Sequence, residues 1–207
     1  MERIRADDPQ ASTKAAKVVA SGGVIIYPTD TLYGLGADAL SDEAVAKIYA
    51  VKGRQEGKPI HAIVADMEMA EQYAALNETA RKIAERFFPG PLTLILKKND
   101  SLVSGITNGI DTFGFRIPDS TFCIALARAF DGPVTATSAN KSHMRPERSV
   151  DAILAQLADT AHLIDLVVDA GELPDHLPST VVDISSNEAI ILREGAIPSS
   201  DILAAAL

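Results

Sequence analysis

The 207-residue chain is 47% apolar with 5% aromatics and no tryptophan, so it can bury a sizeable aliphatic core, which excludes a disordered chain. Its formal net charge of −9 argues against a whole-surface electrostatic hold on nucleic acid, although local basic clusters remain open. Cys123 is the only cysteine, which excludes an intrachain disulfide and a cysteine-built zinc site.

The start, MERIRADDPQ, is polar and unlike a signal peptide. No apolar run approaches the roughly 18 residues of a membrane span. The expectation is a soluble, cytoplasmic protein with no membrane partner. Residues 9 to 21 carry apolar positions at helical spacing (Ala11, Ala15, Val18, Val19) and stop at Gly22-Gly23. Val24–Tyr27 is expected to be a short buried strand. YPTDTLYGLGADA (27–39) follows as a polar loop leading into a helix with Ser41 as N-cap, Asp42 and Glu43 in its first turn, and an end near Lys52-Gly53.

Ala62–Ala65 is the next strand, then helices over Met67–Leu76 and Glu78–Phe88, the second capped by Asn77 and ended by Pro89-Gly90-Pro91. LTLILKK (92–98) and TFGFRIP (112–118) are strands, and Ser120 caps a helix running to Phe130. Within it Cys123, in FCIALARAF, is expected as a small buried apolar residue. PVTATSAN (133–140) begins as a strand, and Ser149 caps a helix to about Leu157. Three strand-like runs follow, LIDLVVD (163–169), STVVDIS (179–185) and AIILRE (189–194), the last two joined through Ser186-Asn187 as a hairpin. A short helix from Asp201 ends the chain. The order, roughly seven or eight strands and six helices without strict alternation, predicts one α/β domain with a mixed sheet flanked by helices.

Several motifs fail. GLGADA (34–39) fits a loose G-x-G-x-x-A, but PTDTLY separates it from the strand and the helix opens only after Ser41, the wrong context for a dinucleotide fingerprint. There is no G-x-x-x-x-G-K-[ST], no G-x-S-x-G and no H-E-x-x-H, and His61, His143, His162 and His176 lack metal-ligand spacing. VKGRQEGKPIHAIV (51–64) is stronger: Lys52, Arg54 and Lys58 crowd one helix end and loop. A helix dipole accounts for one such cation but less well for three. In an acidic chain the knot points to an anion, phosphate or carboxylate. Arg116 in FGFRIP suits either a structural ion pair or a planar grip on a ligand carboxylate or phosphate. TATSAN (135–140) offers hydroxyls and an amide at a strand end, where α/β sheets hold ligands. The residues therefore describe positioning of an anionic ligand, with no metal cage and no obvious nucleophile.

PTDTLYGLGADA, KGR followed by KPI, PGPLTLIL, FRIP, TSAN, PSTVVD and LREGAI occur in that order. Together they resemble the YrdC-like family, the threonylcarbamoyl-AMP synthases, from about Ala15 to Ile197, with the whole of 1–207 expected to be one such domain. The resemblance implies a twisted mixed sheet enclosing a large basic cavity. It implies condensation of L-threonine, bicarbonate and ATP to threonylcarbamoyl-AMP and pyrophosphate, for N6-threonylcarbamoyladenosine in tRNA; separate transferase proteins carry the group onward. By position, Thr29, His61, Arg116, Ala136 and Ser179 match the threonine-contacting residues, and Lys52, Thr112, Ser138 and Arg193 the ATP-contacting ones. Arg54 and Asn140 complete the KGR and SAN signatures, with Lys52 and Arg54 expected on the triphosphate together with Mg²⁺ and Asn140 on the ATP side.

Two features depart from the family pattern. Where relatives often read SANxSG, this chain reads SANKSHMRPERS: His143 replaces the glycine, and Pro146 falls where an ATP-contacting serine is common, so Arg145 or Arg148 is expected to help there. Glu56, inside the basic stretch, is expected to face solvent or the metal. The competing functions are a divergent paralogue, an RNA-binding or ribosome-maturation module using the cavity without catalysis, and a carbamoyl-adenylate domain of the hydrogenase-maturation type. Intact KGR and SAN motifs oppose the first, net charge −9 the second, and the lack of flanking zinc-finger-like and acylphosphatase-like domains the third.

Overall fold

A computed structural model describes residues 1–53, 59–186 and 188–207. Among these residues ten strands join one sheet: β1 (Glu2–Arg5), β2 (Ile25–Pro28), β3 (Tyr33–Gly36), β4 (His61–Ile63), β5 (Leu92–Lys97), β6 (Thr112–Arg116), β7 (Val134–Ser138), β8 (Leu166–Asp169), β9 (Thr180–Asp183) and β10 (Ile190–Arg193). Their order across the sheet is β1-β8-β2-β3-β7-β4-β6-β5-β9-β10. The pairs β1/β8, β8/β2, β4/β6 and β5/β9 are parallel and the other five antiparallel. The expected mixed sheet is therefore present. No helix among the described residues is long and apolar enough to cross a membrane.

Among the described residues seven α-helices flank it: α1 (Ala11–Ala20), α2 (Asp42–Lys52), α3 (Met67–Glu71), α4 (Glu78–Phe87), α5 (Thr121–Phe130), α6 (Val150–Gln156) and α7 (Ser199–Ala205). Their starts follow from local chemistry. The side chains of Ser41, Asn77, Ser120 and Ser149 each accept a hydrogen bond from the backbone N–H three residues on, closing an end whose first amides have no partner within the helix.

Several elements differ from the sequence expectation. β1, charged and largely exposed, was read as a polar start; it holds its place at the sheet edge by pairing with β8 and through Arg3, which donates to Asp169 and Asp151. The stretch 27–39 is a hairpin, not a loop: Tyr27 pairs with Gly34 and Ile25 with Gly36. Gly34 and Gly36, within that expected loop, lie in β3 under the ring of Tyr27; a Cβ on Gly34 would stand 3.0 Å from it. α3 stops at Glu71 rather than Leu76, and α7 begins at Ser199 rather than Asp201. β9 and β10 form the expected antiparallel pair; Asn187, placed in its turn, lies outside the described residues.

The two sheet faces have different fates. One is covered by α2, α4 and α7 over a large core that includes Leu35, Ala62, Leu92, Leu94, Phe113 and Phe115. The other carries a smaller core, with Ile25, Ile63, Val134 and Val168 packed under α1 and α5 through Ala15, Val19, Cys123 and Leu126. Helices α1 and α5 cover only part of this second face, and the rest is the floor of a cavity.

Candidate functional site

Pleating sends alternate residues of a strand to opposite faces, and paired residues on neighbouring strands share a face. Gly34 pairs with Ser138, Ala136 with His61, and Ile63 with both Val134 and Arg116. Thr93 pairs with Val181, which in turn pairs with Arg193. Arg193 reaches that position through a bulge: Ile191 opposes Val182, yet Arg193 and not Leu192 opposes Val181. The extra residue turns an arginine toward the floor and leaves Leu192 exposed. Side chains from separated stretches of sequence thus meet on one surface, lining a cavity of about 980 Å³.

Of the threonine-matched residues, Thr29, His61, Arg116, Ala136 and Ser179 all line this cavity, as do the ATP-matched Lys52, Ser138, Asn140 and Arg193. Thr112 is not among the lining residues. It sits at the far end of β6 opposite Lys97, on the same strand face as Arg116 by alternation. Arg54, Glu56 and Lys58 lie outside the described residues. The described lining includes five cations (Lys52, Arg116, Arg145, Arg148, Arg193) against two carboxylates (Glu147, Asp175), so the wall favours an anion even though the chain is acidic overall.

The bonding of these residues refines their roles. The Thr29 hydroxyl accepts from the backbone of Thr31 (3.1 Å) and Leu32 (3.2 Å) and donates to Leu32 O (2.7 Å), so it clamps its own hairpin loop. Lys52, 4% exposed, ends α2 and points Nζ at Ser138 O (2.5 Å), Asn140 O (3.0 Å) and Asn140 Oδ1 (3.2 Å). It braces the TSAN loop. Asn140 is the hub: Oδ1 also accepts from Ser138 Oγ (2.5 Å), and Nδ2 donates to Lys141 O and Met144 O. Its amide is fully engaged within the protein.

Arg116, 6% exposed, donates Nη2 to Asp30 Oδ1 (2.6 Å) and Nη1 to Thr31 Oγ1 (3.1 Å). Arg116 therefore forms the structural ion pair that was one of its two readings, and it also lines the cavity. Its Nε is the one buried side-chain nitrogen or oxygen among the described residues without a partner. Arg193 donates Nε and Nη2 to Ser179 O (3.1 and 2.8 Å) and Nη2 to Ser179 Oγ (3.1 Å), and that hydroxyl pairs with Thr93 Oγ1 (2.9 Å). Burial, and after it the nearby charge of Arg116, lowers the pKa of Arg193. Two guanidiniums therefore act on the same part of the floor.

Cys123 is buried, its thiol pushed up to about 12 by burial, with Sγ donating to Pro28 O (3.3 Å); it is core, as expected, and not a nucleophile. Burial likewise raises the pKa of Tyr27, whose hydroxyl donates to Thr135 O (2.9 Å).

Sequence reasoning missed Thr93 and Gly114. Thr93 was visible as the lone hydroxyl in LTLIL, and Gly114 as a glycine inside an apolar strand, a mark of close approach. A Cβ on Gly114 would lie 2.4 Å from Cδ2 of His61, so only glycine lets that ring lie over the strand. The departure at His143 also has a structural form. Its φ is +67°, so the histidine keeps the left-handed backbone that glycine adopts without strain.

A family model, Sua5/YciO/YrdC, described as "Telomere recombination", matches residues 17–195. The chain belongs to the Sua5/YciO/YrdC family. A protein of Methanocaldococcus jannaschii is 38% identical over 88% of this chain and 84% of its own length. The threonylcarbamoyl-AMP synthase of Pyrococcus abyssi is 35% identical over 91% of this chain, which spans 55% of that longer relative. Among solved family structures, P. abyssi Sua5 complexed with L-threonine superposes with a TM-score of 0.87 at 33% identity, over 99% of this chain and 59% of that one. Escherichia coli YciO gives 0.83 at 26% identity over 98% of both chains.

Two stability measurements test this geometry. Gly114→Ala should cost about 1–3 kcal/mol in urea unfolding and shift the ring resonances of His61; an unchanged midpoint would mean that the ring has room to spare. His143→Gly, by relieving a left-handed non-glycine residue, should stabilise the fold by about 1 kcal/mol.

Proposed function

We propose that this chain is an L-threonylcarbamoyladenylate synthase, joining L-threonine, bicarbonate and ATP to give threonylcarbamoyl-AMP and pyrophosphate. The observation that carries the reading is Arg116, a buried cation lining an anion-favouring cavity with an unpartnered Nε. It stands among residues that match the threonine positions of a family whose P. abyssi member was crystallised with L-threonine. As nucleotidyl transfer the reaction needs three reactants aligned and phosphate charge neutralised, tasks that suit a rigid floor of hydroxyls and cations.

On this reading the threonine carboxylate meets the guanidinium of Arg116. Nη2 is taken by Asp30 and the carbonyl of Gly90, and one N–H of Nη1 by Thr31, so the contact draws on the donors that remain. His61 and Ala136, adjacent across β4 and β7, frame the rest of the amino acid, and Ser179 borders it. The amine adds to the carbon of bicarbonate, losing water to give the carbamate. A carbamate oxygen then attacks the α-phosphorus, and the bond to pyrophosphate breaks. Lys52, Ser138 and Arg193 stand where the resemblance puts ATP. From its braced position Lys52 offers positive charge to the phosphates and fixes the loop that borders them.

No cluster of three metal-ligating side chains occurs among the described residues. Mg²⁺ would fit as a companion of the triphosphate, held by phosphate oxygens, and no step here is routed through it. In this proposal the product passes to separate transferase proteins that modify tRNA.

Incubation of the pure chain with ATP, bicarbonate and L-threonine should release pyrophosphate and form threonylcarbamoyl-AMP, both dependent on threonine. Pyrophosphate release indifferent to threonine would overturn the assignment, and tight tRNA binding in its place would favour the non-catalytic module. Lys52→Met should lower kcat at least about 100-fold, the scale of losing a preorganised donor, with a stability loss of about 1–3 kcal/mol read by urea unfolding.

A further inference from the structure

We infer that Asp30 is a positioning residue that reserves Arg116 for a singly charged carboxylate and keeps polyphosphate away from it; this rests on the synthase reading above. Asp30 lies in the hairpin loop between β2 and β3, and Arg116 lies 86 residues on, at the end of β6. Their side chains are 11% and 8% exposed. The carboxylate is held at both oxygens: Oδ1 takes Nη2 of Arg116 at 2.6 Å, and Oδ2 accepts from the backbone N–H of Asp119 at 3.3 Å. Thr31 Oγ1 takes Nη1 at 3.1 Å. With both terminal nitrogens bound, and Nη2 also near the carbonyl of Gly90 (3.4 Å), the guanidinium is held in place; the second N–H of Nη1 and the buried Nε are the donors left over.

The pair also changes what Arg116 attracts. A lone buried arginine in a cationic cavity is a good phosphate site. With a carboxylate bonded to it, the local charge is close to neutral. A triphosphate arriving there would meet the negative charge of Asp30 at short range, where low dielectric strengthens the repulsion. A single carboxylate hydrogen-bonded to a remaining N–H carries less charge and loses less. Arg193 has no such companion: its described partners are the neutral carbonyl and hydroxyl of Ser179. Arg116 and Arg193 on the cavity floor therefore differ in character, one matched and one unmatched, which sorts two anionic substrates by charge.

The test is steady-state pyrophosphate release with threonine and ATP varied independently, in the wild-type chain, Asp30→Asn and Thr31→Val. Asp30→Asn keeps the shape and removes the charge; it should raise KM for threonine at least tenfold, and high ATP should become a competitive inhibitor against threonine. Thr31→Val keeps the ion pair but frees Nη1, and should raise KM for threonine several-fold without that inhibition. A merely structural role would lower kcat through a smaller folded fraction and would not create competition between the two substrates. If Asp30→Asn fails to fold, the threonine KM of Thr31→Val decides. An active wild-type chain whose variants lose kcat with KM for threonine unchanged overturns the inference alone. A wild-type chain without threonine-dependent release overturns the synthase reading and the inference with it.

Discussion

A buried cation has to be matched, and in this chain that requirement ties the wall of the cavity to its floor. Arg116 stands at the end of a central strand, nearly out of solvent, where an unpaired guanidinium would cost several kcal/mol. Asp30 matches it from the hairpin loop, which Thr29 holds in shape through its own backbone. Removing either partner would leave the other charged and buried. Hairpin, central strand and the segment after it at Asp119 are therefore fixed relative to one another by one ion pair. Such pairs are weak contributors to net stability but strong constraints on geometry, and geometry is what a site for three small reactants needs.

The second anchor is the cluster of Lys52, Ser138 and Asn140. The lysine closes the end of α2 onto the carbonyls that follow β7, and the asparagine amide ties those same residues to the loop at Met144. Ser142 N–H donates to Lys52 O (2.8 Å) and returns the loop to the helix end. Farther along, Leu173 N–H donates to Arg148 O (2.9 Å) and the Arg148 side chain pairs with Glu172, so that two cavity-lining loops are joined to each other. Residues that resemble ligand contacts in sequence are thus also the braces of the site. A cation held by carbonyls has its charge fixed in place before a phosphate arrives, the arrangement that electrostatic catalysis requires.

Much of this was legible in the sequence, for reasons that can be named. The caps at Ser41, Asn77, Ser120 and Ser149 are local chemistry, and they were readable because the capping bond spans only three residues. The motif order identified the family, and the described parts of several motifs bring Lys52, Arg116, Ser138 and Ser179 to one cavity. What stayed hidden depends on partners far along the chain. Whether Arg116 meets a carboxylate or a ligand was undecidable when the carboxylate is 86 residues away. The glycines of YGLG looked like a turn, since nothing nearby announced that Tyr27 lies across them. β1 has too few apolar residues to declare itself and depends on β8 and on the ion pairs of Arg3. The bulge that turns Arg193 inward leaves no mark in AIILRE.

In the proposed function, one face of the sheet presents Arg116, held by Asp30, to the carboxylate of an amino acid. A crystal structure of this chain with L-threonine bound tests it most directly. The expected complex has a carboxylate oxygen about 3 Å from a guanidinium nitrogen of Arg116, with the Asp30–Arg116 pair intact and His61 and Ala136 beside the ligand. Threonine bound through Lys52 or Arg193, with no ligand oxygen on the Arg116 guanidinium, would contradict it.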